Sequence, residues 1–226
     1  MNTNNHISNI FYAIGTKPVF TVDIHLRLRS TLHSQHLSKI GLWYDGKTTW
    51  IGEEGWIVNA AFSSTNTVIV SQAYHKGLNI KLTIRDESLE DELGVKRMIS
   101  MKNEGASDTN VKLLAQQVTY TQEGLSFYSP AEKALIHYSE EKYSLFSIQM
   151  PKAQSIQYGV GLVNQIWNDP LGKLFFAPFS ATKTESLMVC TCLLQSNETV
   201  NASLIQMSSE NMVHLKRSNY LAQQTV

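Results

Sequence analysis

Cys190 and Cys192 are the only thiols, spaced i and i+2. On a strand that spacing turns both side chains to one face and leaves poor geometry for a mutual disulfide, so they read as small core residues. The chemical alternative is half of a zinc site. No second Cys pair or His pair stands at ligand spacing, so no metal is expected. The carboxylates Asp86, Glu87, Glu90, Asp91 and Glu92 lack the alternating oxygen ligands and turn glycine of a calcium loop, and read as a solvated connection between strands. Gly159-Val-Gly161 has neither a third glycine nor a helix after it, which excludes a dinucleotide fingerprint, and no nucleophile elbow surrounds a serine. Motifs therefore assign no catalytic residue and no cofactor. The sequons at Asn197 and Asn201 matter only for an exported chain.

The indoles carry more information. Asp45-Gly46 between two β-rich arms is a strong hairpin signal, and a two-residue type I′ turn there sets Tyr44 against Lys47, Trp43 against Thr48, Leu42 against Thr49 and Gly41 against Trp50. One face then carries Ile40, Leu42 and Ile51 for a core, and the other carries Trp43 and Trp50, with Trp50 over the bare backbone of Gly41. Trp56 follows closely. Trp43, Trp50 and Trp56 are the candidate site residues, and three readings stay open for the indole face: core covered by loops or another strand layer, a protein interface, or a platform on which sugar rings stack.

The elements that must position these residues are strands. Residues 20–28 alternate apolar and polar, as do 78–85, and 95–101 alternate with Arg97 as the polar exception. Further β-rich runs occupy 67–73, 111–120, 134–137, 143–150, 156–163, 187–194 and 199–207. A weak helical pattern covers 212–223, and Ile10, Phe11 and Tyr12 form a short apolar patch. Consecutive strands with short turns imply antiparallel pairing, so the fold expected is all-β, a large antiparallel β-sandwich.

Composition bounds the function. In 226 residues, 19 basic side chains balance 19 acidic ones, and this zero net charge argues against the basic excess that nucleic-acid binding needs. No apolar run approaches the ~20 residues of a spanning helix, and Met1 to Asn9 show no secretory signal, so a cytoplasmic location and no membrane partner are expected.

Three segments, in order and at matching spacing, resemble the N-terminal β-sandwich domain of prokaryotic glucoamylase-like hydrolases, glycoside hydrolase family 15. The first is Lys39-Ile-Gly-Leu-Trp-Tyr-Asp-Gly-Lys-Thr-Thr-Trp50 followed by Trp56. The second is Lys96-Arg-Met-Ile-Ser-Met-Lys-Asn103. The third is Phe127-Tyr-Ser-Pro-Ala-Glu-Lys-Ala-Leu-Ile-His-Tyr138 with Lys142-Tyr143 after it. Trp167-Asn-Asp169 keeps the beginning of a longer acidic motif. The resemblance divides the chain into divergent N-terminal sandwich strands over 1–37, the glucoamylase N-terminal-type sandwich over 38–207, and a tail or linker over 208–226.

In that family, catalysis is done by two glutamates on a separate barrel of twelve helices, which at about 11 residues each would take about 130 residues. About thirty residues follow Leu194, so the barrel is expected to be absent and the chain inactive by itself. The resemblance implies a partner barrel or self-association through an apolar patch, with an α-glucan or maltooligosaccharide as a further ligand. Sandwiches of this type are also similar in fold to the galactose-mutarotase group, where a His and a Glu act as acid and base on a free sugar. For that alternative the candidates are His25, His75 and His137 with Glu54, Glu132 or Glu141, and the strand position of His137 favours a hydrogen-bonded structural role.

Overall fold

Residues that alternate in the sequence alternate in burial. In the strand Ile80–Ser88, Ile80, Leu82 and Ile84 are fully buried while Lys81 and Thr83 are half-buried and Arg85 is exposed. Each such aliphatic side chain contributes about 1.5–3 kcal/mol when taken from water, which decides the facing of the strand. The computed structural model describes residues 12–14, 20–30, 36–62, 68–89, 93–119, 124–181 and 184–224. The segment 1–9, Ile10 and Phe11 of the apolar patch, and Glu90, Asp91 and Glu92 of the acidic run lie outside the described residues.

Two antiparallel sheets face each other. The first runs β1 (Tyr12–Ile14), β2 (Phe20–Val22), β3 (Leu28–Ser30), β4 (His36–Tyr44), β10 (Thr109–Thr119), β18 (Thr184–Leu194), β14 (Ser155–Val160), with β5 (Lys47–Trp50) paired to β4. The second runs β17 (Phe179–Ser180), β11 (Leu125–Ser129), β12 (Ala134–Ser139), β13 (Lys142–Gln149), β19 (Thr199–Ser209), β9 (Gly94–Asn103), β8 (Ile80–Ser88), β7 (Val68–His75), β6 (Trp56–Phe62). The expected all-β antiparallel sandwich is the architecture found. Its main core holds Leu42, Leu113, Cys190 and Cys192 from the first sheet and Leu82, Ile99, Phe146 and Leu204 from the second. Both thiols are buried in that core, and burial pushes Cys190 up to about 12 and Cys192 up to about 11, so neither is a nucleophile at neutral pH.

Each sheet is also covered on its outer face. A strap made of α1 (Val163–Ile166) and the ribbon β15 (Trp167–Asn168) and β16 (Lys173–Leu174) lies on the first sheet, packing Ile166, Trp167 and Leu174 against Leu114, Leu187 and Val189. Helix α2 (Met212–Gln224) lies on the second, with Leu215 and Ala222 against Ile136, Leu145, Ile205 and Met207. The Asn211 side chain caps it, accepting from the Val213 and His214 amides at 2.9 and 3.2 Å.

Two expectations need correction. The alternation over 20–28 is not one strand: Asp23 breaks it by accepting the His25 and Arg27 amides at 2.9 and 3.0 Å, Leu26 takes φ +57°, and the chain returns as β3 against β2. Nor is the acidic run wholly a solvated connection. Asp86 is fully buried on β8 and receives Arg97 Nε and Nη2 at 2.6 and 2.8 Å, while Arg97 Nη1 donates to the Leu26 carbonyl at 2.8 Å. Arg97, the polar exception in its strand, therefore faces the interior with a bidentate partner.

Candidate functional site

The hairpin forms in the expected register, with Asp45 and Gly46 at φ +45° and +82°, as a type I′ turn requires. Trp43 and Trp50 share the face away from the core, and the strap covers it. Trp43 Nε1 donates to the Asp169 carbonyl at 2.7 Å. Trp167 Nε1 donates to Thr48 Oγ1 at 3.0 Å, and Thr48 Oγ1 donates to the Asp169 carboxylate. Gly172, at φ +56°, lies so close that a Cβ there would fall 2.4 Å from the Trp43 ring. Lys39 Nζ sits 4.2 Å from the Trp50 ring centroid and Lys112 Nζ 5.2 Å from that of Trp43, and burial lowers the pKa of both lysines. Trp43 and Trp50 are both half-buried, and both pack against the cluster that the strap makes with the first sheet. Trp56 is on the other side of the hairpin: its Nε1 donates to Thr49 Oγ1 at 2.8 Å and its ring meets His75 edge-on at 5.1 Å. The three indoles do not form one platform.

The histidines separate as well. His137 is fully buried between the sheets, with Nδ1 3.1 Å from Thr119 Oγ1 and Nε2 2.9 Å from Ser186 Oγ. His36 joins the same network through Thr119 Oγ1 at 3.0 Å. Burial, and the neighbouring His36, hold His137 far below its ordinary pKa, at about 3. It is buried and hydrogen-bonded through both ring nitrogens, the structural role that its strand position predicts. Glu132 anchors the side of α2 instead, its backbone carbonyl accepting from the Asn219 and Gln223 side-chain amides, and Glu141 lies in the exposed turn after β12. His25 packs on Gly52.

His75 shares a cavity lining with one candidate carboxylate. With Glu54, Tyr44, Lys47 and Thr49 it lines a cavity of about 510 Å³ beside the hairpin. Its Nδ1 accepts the Leu78 amide at 3.2 Å, which fixes the neutral ring with its proton on Nε2, and burial lowers its pKa. At neutral pH this ring presents a hydrogen-bond donor rather than a base. Among the described residues, no group of three or more His, Cys, Asp or Glu could hold a metal ion.

The residues 171–179 form a feature that sequence reasoning missed. Leu171, Phe175, Phe176 and Phe179 are 68, 44, 83 and 59% exposed. They are not loosely held. The Phe175 amide donates to Ile166 O at 2.8 Å, the Val160 amide to Ala177 O at 2.7 Å, and the Tyr128 amide to Pro178 O at 2.9 Å. Between this segment and strands β11 and β14 is a second cavity of about 270 Å³, lined by Tyr128, Ile156, Gln157, Tyr158, Phe175 and Phe176 among others. The usable signal was the run Leu174-Phe175-Phe176-Ala177 before Pro178, which is apolar without alternating and so cannot be a one-face strand.

No family model matches the chain, and no curated protein matches it. Among solved structures, a bacterial glucoamylase complexed with acarbose aligns with a TM-score of 0.61 at 10% identity, over 90% of this chain and 32% of that one. A protein described as a kojibiose phosphorylase from human microbiome aligns at 0.52, also at 10% identity, over 90% of this chain and 25% of that one. An aldose 1-epimerase of Escherichia coli K12 covers 88% of this chain and 99% of its own at a TM-score of 0.48, too low to support an argument. These likenesses establish the fold, a β-sandwich that recurs in structures of carbohydrate-active proteins. The chain spans about a third of the glucoamylase and a quarter of the phosphorylase.

Proposed function

We propose that this chain is a non-catalytic β-sandwich domain of a glucoamylase-like glycoside hydrolase, carbohydrate-associated, which works by packing on a catalytic helical barrel. The observation that carries this reading is the exposed strip Leu171, Phe175, Phe176 and Phe179, held out by backbone hydrogen bonds to three other elements. Apolar side chains fixed in water without compensation mark a contact surface, and a domain interface within a hydrolase is the contact that the fold suggests. The family resemblance over 38–207 and the alignment with a glucoamylase support the same reading. Self-association through the strip is the form the contact takes when no barrel is present. The test is a glucose-release assay on maltooligosaccharides with the purified chain. No release above buffer is expected, and release that copurifies with the chain overturns the reading.

One observation favours a second reading, an aldose mutarotase-like enzyme: His75 and Glu54 line one cavity. It requires mutarotation of glucose by the chain, lost in His75→Ala. The hydrogen bond that Leu78 donates to His75 Nδ1 stands against it, because it leaves no free lone pair on the ring to take a proton.

A further inference from the structure

We propose that the cavity between β11, β14 and residues 174–176 is a subsite for one neutral pyranose ring of a saccharide. This deepens the carbohydrate-associated reading above and rests on it. No charged side chain is among the lining residues, and Lys173 Nζ lies 5.9 Å from the centroid of the Phe175 ring at its side, so the lining itself suits a neutral ligand. What it offers is aromatic surface from Phe175, Phe176 and the stacked pair Tyr128 and Tyr158, whose ring centroids are 4.5 Å apart, together with the phenol groups and the exposed amide of Gln157. Among the described residues, neither phenol nor the Gln157 amide has a hydrogen-bond partner. Burial, with Tyr128 and Cys190 nearby, raises the Tyr158 pKa well above its ordinary value, so its hydroxyl stays neutral and able both to donate and to accept.

A pyranose has this combination in reverse: C–H faces that lie on aromatic rings and a rim of hydroxyls that seek amide and phenol groups. A volume of about 270 Å³ is just under the ~300 Å³ at which sites for drug-sized molecules begin, so it suits one ring rather than a chain. The rim is built in advance. Phe176, at 83% exposure, is flanked by the hydrogen-bonded Phe175 amide and Ala177 carbonyl, so little backbone order is lost on binding.

The experiment is isothermal titration of the full chain with maltotriose and, separately, with glucose, on the wild type, Phe176→Ala and Gln157→Ala. Both side chains are exposed, so the variants keep the fold, and circular dichroism confirms it. Saturable millimolar binding is expected, weakened about tenfold by each substitution. Binding to maltotriose but not glucose assigns the subsite to a chain end or internal ring, and binding to both assigns it to a free ring as well. Binding that neither variant weakens, or no binding of either sugar at millimolar concentration, overturns the proposal. So does self-association that Phe176→Ala abolishes without any sugar effect, which would make a second copy the occupant. Leu171 and Phe179 do not line the cavity. Loss of barrel contact in their variants with sugar binding intact, or the converse, separates failure of this proposal from failure of the docking reading.

Discussion

His137 shows how a histidine that looks available for chemistry can be committed to structure. Its imidazole stays neutral in the fold down to about pH 3, while in the unfolded chain it takes up a proton near its ordinary value of about 6.5. The unfolded state therefore binds more protons between those values. The contribution is fully present above about pH 6.5 and is lost as pH falls toward 3, at up to about 1.4 kcal/mol per pH unit. Urea denaturation from pH 7 to pH 4 should show stability falling, and His137→Gln should lose about one proton from that slope. The buried pair Asp86 and Arg97 makes a second residue-scale prediction. Arg97→Met leaves a carboxylate without its partner and should cost about 3–5 kcal/mol in urea denaturation, whereas a loss under about 1 kcal/mol would mean that Asp86 finds water instead. The polar exception at Arg97 was legible in the sequence as a break in alternation. Its partner was not, because Asp86 sits in a run of acids whose pattern is that of a surface connection.

At the scale of elements, the hairpin was readable because a two-residue turn with both residues at positive φ leaves one register, and the sequence supplies Asp45-Gly46 at that point. The strap was not readable. Its α1, β15 and β16 are two to four residues each, too short for any periodicity, and they are fixed by contacts with Trp43, Trp50 and Thr48 far away in sequence. Gly172→Ala tests whether the strap is what covers Trp43. An added Cβ meets the ring at 2.4 Å and the positive φ disfavours a side chain, so a loss of about 1–3 kcal/mol and a red shift of tryptophan emission are expected. Unchanged emission would show that Trp43 is covered by something else. The split of 20–28 follows similar physics, since the Asp23 carboxylate gathers two amides and Arg27 Nε, and alternation alone carries no trace of a side chain that caps a turn. Asp23→Ala should lower stability by about 1–3 kcal/mol by leaving those donors unpaired, measured by thermal or urea unfolding.

For the whole molecule, the inner faces of the two sheets make the main core, and the outer coverings by the strap and α2 account for apolar residues outside it, such as Leu114 and Ile136. After those coverings the strip at 171–179 remains in water. Contact rather than catalysis is the role proposed for this strip, and Leu171 and Phe179 report on it most directly because neither lines the cavity beside Phe176. The measurement that tests it is sedimentation velocity of the chain mixed with a glucoamylase-type helical barrel produced without its own sandwich. An equimolar complex, lost in the double variant Leu171→Asp and Phe179→Asp with its fold intact, is the result predicted. Independent sedimentation at every ratio, or a complex that the double variant leaves unchanged, would contradict it.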